Sequence, residues 1–220
     1  MKNTIQDKSK LVNSVFSKVH KKYDLMNDIM SLGIHRLWKN KLIDWMNPSP
    51  EDTLIDVASG TGDIAKLYSK KNKNLCQISC VEPNNEMYLA GKENLNNFKN
   101  IKWYKSNAEK LPFSENQFDF YTISYGLRNV LNIDEALKEA HRVLKPGGRF
   151  MCLEFSKIQN ELIDLMYNQY AKTIPIIGKY IVGSAKPYEY LIESIKKFHN
   201  QEDLANLIEK NGFSKVEYRN

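Results

Sequence analysis

Thr53-Leu54-Ile55-Asp56-Val57-Ala58-Ser59-Gly60-Thr61-Gly62-Asp63 is the stretch that sets the fold of the whole chain. Leu54, Ile55 and Val57 predict a short strand covered on both faces, as strands of parallel sheets are. Gly60 and Gly62 predict a tight turn whose backbone a ligand can approach. Asp63 stands where it can cap the helix that follows. The free N–H groups of that helix's first turn can receive a polar ligand. Asp56 lies at the carboxyl end of the strand, where open α/β sheets bind ligands. The Gly60-x-Gly62-x-x-Ala65 spacing by itself does not separate dehydrogenases from other nucleotide binders, or either from a structural turn.

Working outward, helix and strand signals alternate. Upstream, the chain reads as helical up to Met46, with Val12, Val15, Phe16 and Val19 forming one apolar stripe. Asn47-Pro48-Ser49-Pro50 ends that part. Downstream, the pattern predicts a helix over 64–69, a loop over 71–74 and a strand over 75–81 that ends in Glu82-Pro83-Asn84. A helix over 85–96 and strands over 101–104 and 118–123 follow, then a helix over 133–144. Lys145-Pro146-Gly147-Gly148 predicts a stop before a strand over 149–155. This alternation predicts a Rossmann-like α/β fold, a mainly parallel sheet with helices on both faces. Residues 160–198 read as helices broken at Ile174-Pro175 and near Lys186-Pro187. A last helix over 202–211, with Gly212 at its C′ position, precedes a final strand over 216–219. The whole, 1–220, reads as one domain. Its parts are a helical cap at 1–50, a cofactor-binding core at 51–157, a helical substrate-side insertion at 158–200, and the last helix and strand at 201–220.

The totals narrow the class. A 42% hydrophobic share supports a substantial core. The net charge of +6 would suit nucleic acid or an anionic membrane surface, though lysines usually serve as solvated faces. No apolar run is long enough to span a bilayer, and no secretory signal is visible. Cys76, Cys80 and Cys152 make no disulfide framework and read as buried packing in a reducing cytoplasm. No His or Cys pair has metal-ligand spacing, so no metal is expected.

Glu82 follows the glycine turn by roughly 20 residues, the position from which an acid grips two ribose hydroxyls. Asn107 and Ala108 end the third strand, where an amide and a small side chain can border an adenine. Ser124 ends the fourth strand on the same rim. An adenosine derivative is expected, and NAD and S-adenosylmethionine both fit that much.

Further motifs separate the two. Asn107-Ala108-Glu109-x-Leu111-Pro112-Phe113, Phe118-Asp119 and Arg142-Val143-Leu144-Lys145-Pro146-Gly147-Gly148 resemble the class I S-adenosylmethionine-dependent methyltransferases. Within that class, Tyr23-Asp24-x-Met26-Asn27-Asp28, Gly33-Ile34-His35-Arg36-x-Trp38-Lys39, Gly126-Leu127-Arg128-Asn129-Val130 and Leu153-Glu154-Phe155-Ser156-Lys157 resemble the ubiquinone/menaquinone biosynthesis C-methyltransferase family. Tyr190-Leu191-x-Glu193-Ser194-Ile195 and Gly212-Phe213-x-x-Val216-x-Tyr218-Arg219-Asn220 extend the likeness, which runs from about Val15 to the end.

The resemblance implies the class I methyltransferase fold, S-adenosyl-L-methionine as cofactor, and methyl transfer to a ring carbon of a prenylated quinol. It places Thr61, Glu82, Asn107, Ala108 and Ser124 at cofactor-binding positions. Asp56, Gly60 and Gly62 join them from the reading of the turn. The family usually has Asp where this chain has Glu82, and Gly where it has Ser59. Relatives continue past the position of Asn220 into a further strand, so a poorly paired sheet edge is expected here.

Methylating a ring carbon requires that an adjacent hydroxyl lose its proton. Arg128 is the leading candidate to stabilise the resulting phenolate, with His35 and Asp24 as candidate proton acceptors. His20, His141 and His199 read as packing or surface residues. Tyr23 reads either as lid packing or as a cation–π partner of the sulfonium. Met166, Tyr167, Tyr170, Ile174, Ile176, Ile177, Tyr180 and Ile181 suggest an apolar substrate channel in peripheral contact with a membrane, at its cytoplasmic face. A helix pair packed on the sheet explains them equally well. A homodimer or a quinone-biosynthesis complex is the expected assembly. The alternatives are a methyltransferase for another small or nucleic-acid acceptor, a non-catalytic cofactor-binding assembly subunit, and an NAD dehydrogenase. No flipped-base motif supports a nucleic-acid partner.

Overall fold

A computed structural model describes residues 10–17 and 23–220, apart from the side chains at 23, 24, 181 and 182. Residues 10–17 form helix α1. Then come α2 (Tyr23–Ser31), α3 (His35–Met46), β1 (Leu54–Val57), α4 (Asp63–Lys71), β2 (Ile78–Val81), α5 (Asn85–Asn94) and β3 (Ile101–Tyr104). The rest is β4 (Phe118–Ser124), α6 (Ile133–Val143), β5 (Leu144–Leu153), α7 (Glu161–Val182), α8 (Lys186–Lys197) and α9 (Gln201–Lys210).

The five strands are all parallel, in the order β3-β2-β1-β4-β5. Strand order reverses between β1 and β4, so their carboxyl ends open the crevice in which such sheets take ligands. Every residue of β1 is buried, because one face meets α3 and α4 and the other meets α6. Asparagine, abundant in this chain, starts several helices. Asn84, Asn132, Asn160 and Asn200 each accept from a first-turn N–H of α5, α6, α7 and α9.

A third apolar cluster lies apart from the two that cover the sheet. Met26 and Met30 of α2 pack with Ala171 and Ile174 of α7, Tyr188 and Leu191 of α8, and Met87 of α5. The α7–α8 pair thus rests on the cap rather than on the sheet. Tyr170 Oη donates to the Ile29 carbonyl at 2.5 Å, and Tyr167 Oη to that of Met30 at 3.4 Å. Gly178 makes the pairing possible, since a Cβ there would sit 2.2 Å from the Tyr188 ring.

Several sequence expectations are corrected. Asp63 does not cap α4. Gly62 holds the cap position at φ 90°, and Asp63, the first helical residue, accepts from Lys39 Nζ at 2.5 Å. β2 starts at Ile78 rather than at 75, because the Cys76 carbonyl is taken by the Asn100 side chain at 2.8 Å. Pro175 does not break α7. Proline forfeits one helical hydrogen bond, but buried Ala171 and Ile174 hold that turn against the cap. The break comes at Gly183, at φ 81°. α6 does end just before Lys145-Pro146-Gly147-Gly148, at Val143, but β5 runs over Leu144–Leu153 rather than 149–155, and its register jumps from Leu144 opposite Phe118 to Arg149 opposite Phe120. Finally, 216–219 is not a strand. The Arg219 guanidinium lies 4.0 Å over the Trp45 ring instead, and Asn220 bonds to Gln159 and Gln201.

Candidate functional site

The crevice holds two adjoining cavities that share Ala58, Gly60 and Tyr125. The larger, about 130 Å³, is lined by Glu82, Asn84, Asn107, Ala108 and Asn129, with Val12, Asn13 and Phe16 of α1 closing over it. The smaller, about 20 Å³, is lined by Lys39, Asp56, Ser59, Thr61, Asp63 and Ser124. Thr61 and Ser124 therefore stand in one chamber and Glu82, Asn107 and Ala108 in the other, with Gly60 common to both. Gly62 lines neither. Its work is local: a Cβ there would meet Leu95 at 2.5 Å, so the residue lets the turn close onto α5 and β3.

Glu82 is buried and bridges the rim. Its Oε2 accepts from the Gly60 N–H at 2.9 Å and its Oε1 from the Asn84 N–H at 2.9 Å. Burial pushes its pKa up to about 7 against the pull of those two bonds. Asp56 is equally enclosed. Thr122 Oγ1 donates to its Oδ1 at 2.7 Å, whereas Oδ2 has no partner. Burial, above all, raises its pKa to about 7. Ser124 Oγ is likewise buried without a partner. Ser59 turns its hydroxyl back onto the Asp56 carbonyl at 2.6 Å and fastens the turn.

Unsatisfied buried polar atoms are costly, so the orphaned Asp56 and Ser124 oxygens are atoms that a polar ligand would complete. A carboxylate has about four lone-pair sites, which leaves Glu82 two for ribose hydroxyls. A nucleoside with a zwitterionic tail fits this set of groups.

Arg128 lines neither cavity, although its neighbours Tyr125 and Asn129 do. Its side chain is buried in an ion pair with Glu154, which also accepts from the Arg128 N–H at 3.3 Å. Nη1 is shared with the Tyr125 carbonyl at 2.8 Å, while Nε and Nη2 have no partner. Burial pushes the Glu154 pKa up and the Arg128 charge opposes that shift. The Tyr190 hydroxyl donates to Asn129 Oδ1 at 2.8 Å, tying α8 to the same turn.

His35 is fully buried on the inner face of α3. Its Nε2 meets Asp28 Oδ1 at 2.9 Å and its Nδ1 has no partner. Arg36, chiefly, holds Asp28 down to about 2. Burial outweighs Asp28 at His35 and lowers the imidazole pKa, so the ring is neutral near pH 7. The ring stands edge-on to Tyr125 at 6.5 Å, one residue back from the cavities. The side chains of Asp24 and Tyr23 lie outside the described residues, as does His20. Exposed His141 meets Phe213 edge-on at 5.3 Å.

Sequence reasoning passed over Tyr125, Glu154 and Lys39 as site residues. Tyr125 adopts φ 57°, which directs it between the two cavities and stacks it on Phe155 at 4.8 Å. Lys39 carried a readable signal: it follows His35 by four residues, on the face of α3 that Leu42, Ile43 and Met46 continue inward.

The sequence model of the ubiE/COQ5 methyltransferase family matches residues 3–220. A protein of Brucella suis biovar 1 (strain 1330) named ubiquinone/menaquinone biosynthesis C-methyltransferase UbiE is 48% identical, covering 97% of this chain and 82% of its own. The protein of that name from Brucella anthropi is 49% identical over 97% and 84%. Among solved structures, an S-adenosylmethionine-dependent methyltransferase of Aquifex aeolicus superposes with TM-score 0.62 at 18% identity, over 89% of this chain and 87% of its own. A putative one of Methanococcus maripaludis gives 0.66 at 18%, over 91% and 86%. These two likenesses concern the fold.

Proposed function

The chain belongs to the ubiE/COQ5 methyltransferase family, and on that premise we infer that it is an S-adenosylmethionine-dependent C-methyltransferase of ubiquinone or menaquinone biosynthesis. The acceptor is a ring carbon of a prenylated benzoquinol or demethylmenaquinol. The family match along residues 3–220 carries this reading.

We assign the larger cavity to adenosine, with Glu82 accepting from the ribose and Asn107 and Ala108 bordering the base. Thr61, Asp56 and Ser124 then face the amino-acid end. Bound S-adenosylmethionine supplies an electrophilic methyl group. The protein must hold the ring carbon in line with it and help a ring hydroxyl ionise. A phenol-type hydroxyl has a pKa near ~10, so at neutral pH it needs a partner that favours the anion. Arg128 Nε and Nη2 are the donors we assign to the phenolate oxygen. Glu154 already balances the guanidinium charge, so the help comes from directed hydrogen bonds more than from net charge. Neutral His35, held through Nε2, keeps an Nδ1 lone pair and is the proton acceptor we favour, with Asp24 as the second candidate.

The prenyl tail needs apolar surroundings. α7 exposes Leu162, Ile163, Leu165, Met166, Ile176 and Tyr180, and carries exposed Lys172 and Lys179. We assign this side to peripheral contact with the cytoplasmic face of a membrane, where lysines attract anionic lipid. Among the described residues, no helix is long and apolar enough to cross a membrane. Quinone analysis of cells lacking the gene tests the function. A demethylated quinone precursor should accumulate, and an unchanged quinone profile would overturn the assignment.

A further inference from the structure

Lys39 is the residue of the helical cap that faces the small chamber. Its side chain is 7% exposed, a depth at which an ammonium needs anionic company. Asp63 Oδ2 takes one of its three donors, at 2.5 Å. Asp56 and Ser124, whose Oδ2 and Oγ are buried without a partner, also line the chamber, as do Gly60 and Thr61. An ammonium with donors left over and a carboxylate with a free oxygen, set around one chamber, are the two halves of a receptor for an α-amino acid.

We propose that Lys39 receives the carboxylate of the cofactor's methionyl end, so that the cap helix α3, and not the sheet rim alone, selects the intact cofactor. This rests on S-adenosylmethionine being the cofactor. Asp63 is the positioning residue. It sits at the first position of α4 and holds the ammonium over the turn without using up its donors. The cofactor carboxylate would join Asp63 on the same ammonium, and its negative charge would lie near the N-terminus of α4, where the helix dipole favours it.

The test is calorimetric binding of S-adenosylmethionine and of decarboxylated S-adenosylmethionine, which lacks only the carboxylate. The natural protein should prefer the intact cofactor by on the order of 10- to 100-fold, the worth of a charge-assisted hydrogen bond. Lys39→Met should erase that preference and leave affinity for the decarboxylated compound within about two-fold. Lys39→Arg, which keeps the cation, should retain most of the preference and guards against a Lys39→Met protein that does not fold. If Lys39→Met preserves the discrimination, weakens both ligands equally, or fails to fold while Lys39→Arg folds and shows no preference, the proposal falls. Should the natural protein bind neither compound, the cofactor assignment itself fails, which is a separate result.

Discussion

The sheet rim and the α7–α8 pair are built on opposite plans. At the rim, polar groups are buried near the carboxyl ends of strands: Asp56 in β1, Glu82 just past β2 and the Ser124 hydroxyl at the end of β4. In α7 the order is reversed. Apolar side chains are exposed, with Tyr180 at 87% and Leu162 at 67%, while the contact with the rest of the molecule is a methionine-rich cluster on the cap. A rim of that kind holds a polar ligand by replacing missing hydrogen bonds. A helix pair of this kind offers apolar surface, the property the proposed prenyl tail requires, and rests on soft methionine packing. Under the proposed function, specificity for the cofactor and tolerance for a long, featureless tail reside in separate regions.

The comparison can be broken most severely where the two regions meet, at Arg128 and Glu154. Arg128→Ala leaves Glu154 buried and unpaired, which should cost about 3–5 kcal/mol in chemical unfolding as well as abolishing turnover. Arg128→Met combined with Glu154→Leu should restore most of the stability and none of the activity. Recovery of turnover in that pair would exclude Arg128 from the chemistry.

A smaller effect tests the rim alone. Glu82→Ala should weaken cofactor binding by about 1.5–3 kcal/mol in calorimetry, the usual worth of hydrogen bonds to a charged group. Substrate affinity should change little.

A dependence on pH tests the same rim without ligand. Asp56 and Glu82 titrate near about 7 in the fold, above their ordinary 3.8 and 4.5. The native state therefore binds protons that the unfolded chain does not, and both groups add stability as pH falls from about 7 toward about 4. The slope is at most about 1.4 kcal/mol per pH unit for each group. His35 acts the other way, because its lowered pKa removes stability as pH falls below 6.5. Cofactor-free protein carrying Asp56→Asn and Glu82→Gln should lose the gain from those two carboxyls and keep the His35 loss together with the smaller opposing gain from buried Glu154. Between pH 7 and 5 its unfolding free energy should drop further than that of the natural protein, as read from denaturant titrations.

The smallest expected change in stability is on α7. Leu162→Ser with Met166→Ser and Ile176→Ser removes exposed apolar groups, so each should alter stability by within about 0.5 kcal/mol. Co-sedimentation with anionic vesicles should fall nonetheless. Unchanged sedimentation would remove the membrane role from this helix.

Much of the rim was legible because a parallel sheet needs little information to locate its ligand site. Apolar runs reveal the strands, and strand order puts their carboxyl ends together. The Asp56, Glu82 and Asn107 positions follow from chain order alone. The roles of Asp63 and Gly62 were not legible, because a cap and a turn glycine look alike in sequence whether they meet a ligand or a neighbouring helix. Pro175 misled for a related reason. Its cost is local, and the packing of Ala171 and Ile174 that offsets it is distant in sequence.

Sequence by itself determined the alternation of strand and helix, the switch-point crevice and the chemistry of its rim, because these depend on short-range pattern and chain direction. Tertiary structure alone decided that Lys39 reaches the turn at Asp63, that Glu154 takes up Arg128, and that α7 and α8 pack on the cap. Those pairs join residues 24 to 140 or so positions apart, brought together by the burial of apolar faces, and no local pattern records which distant partner a buried charge will find.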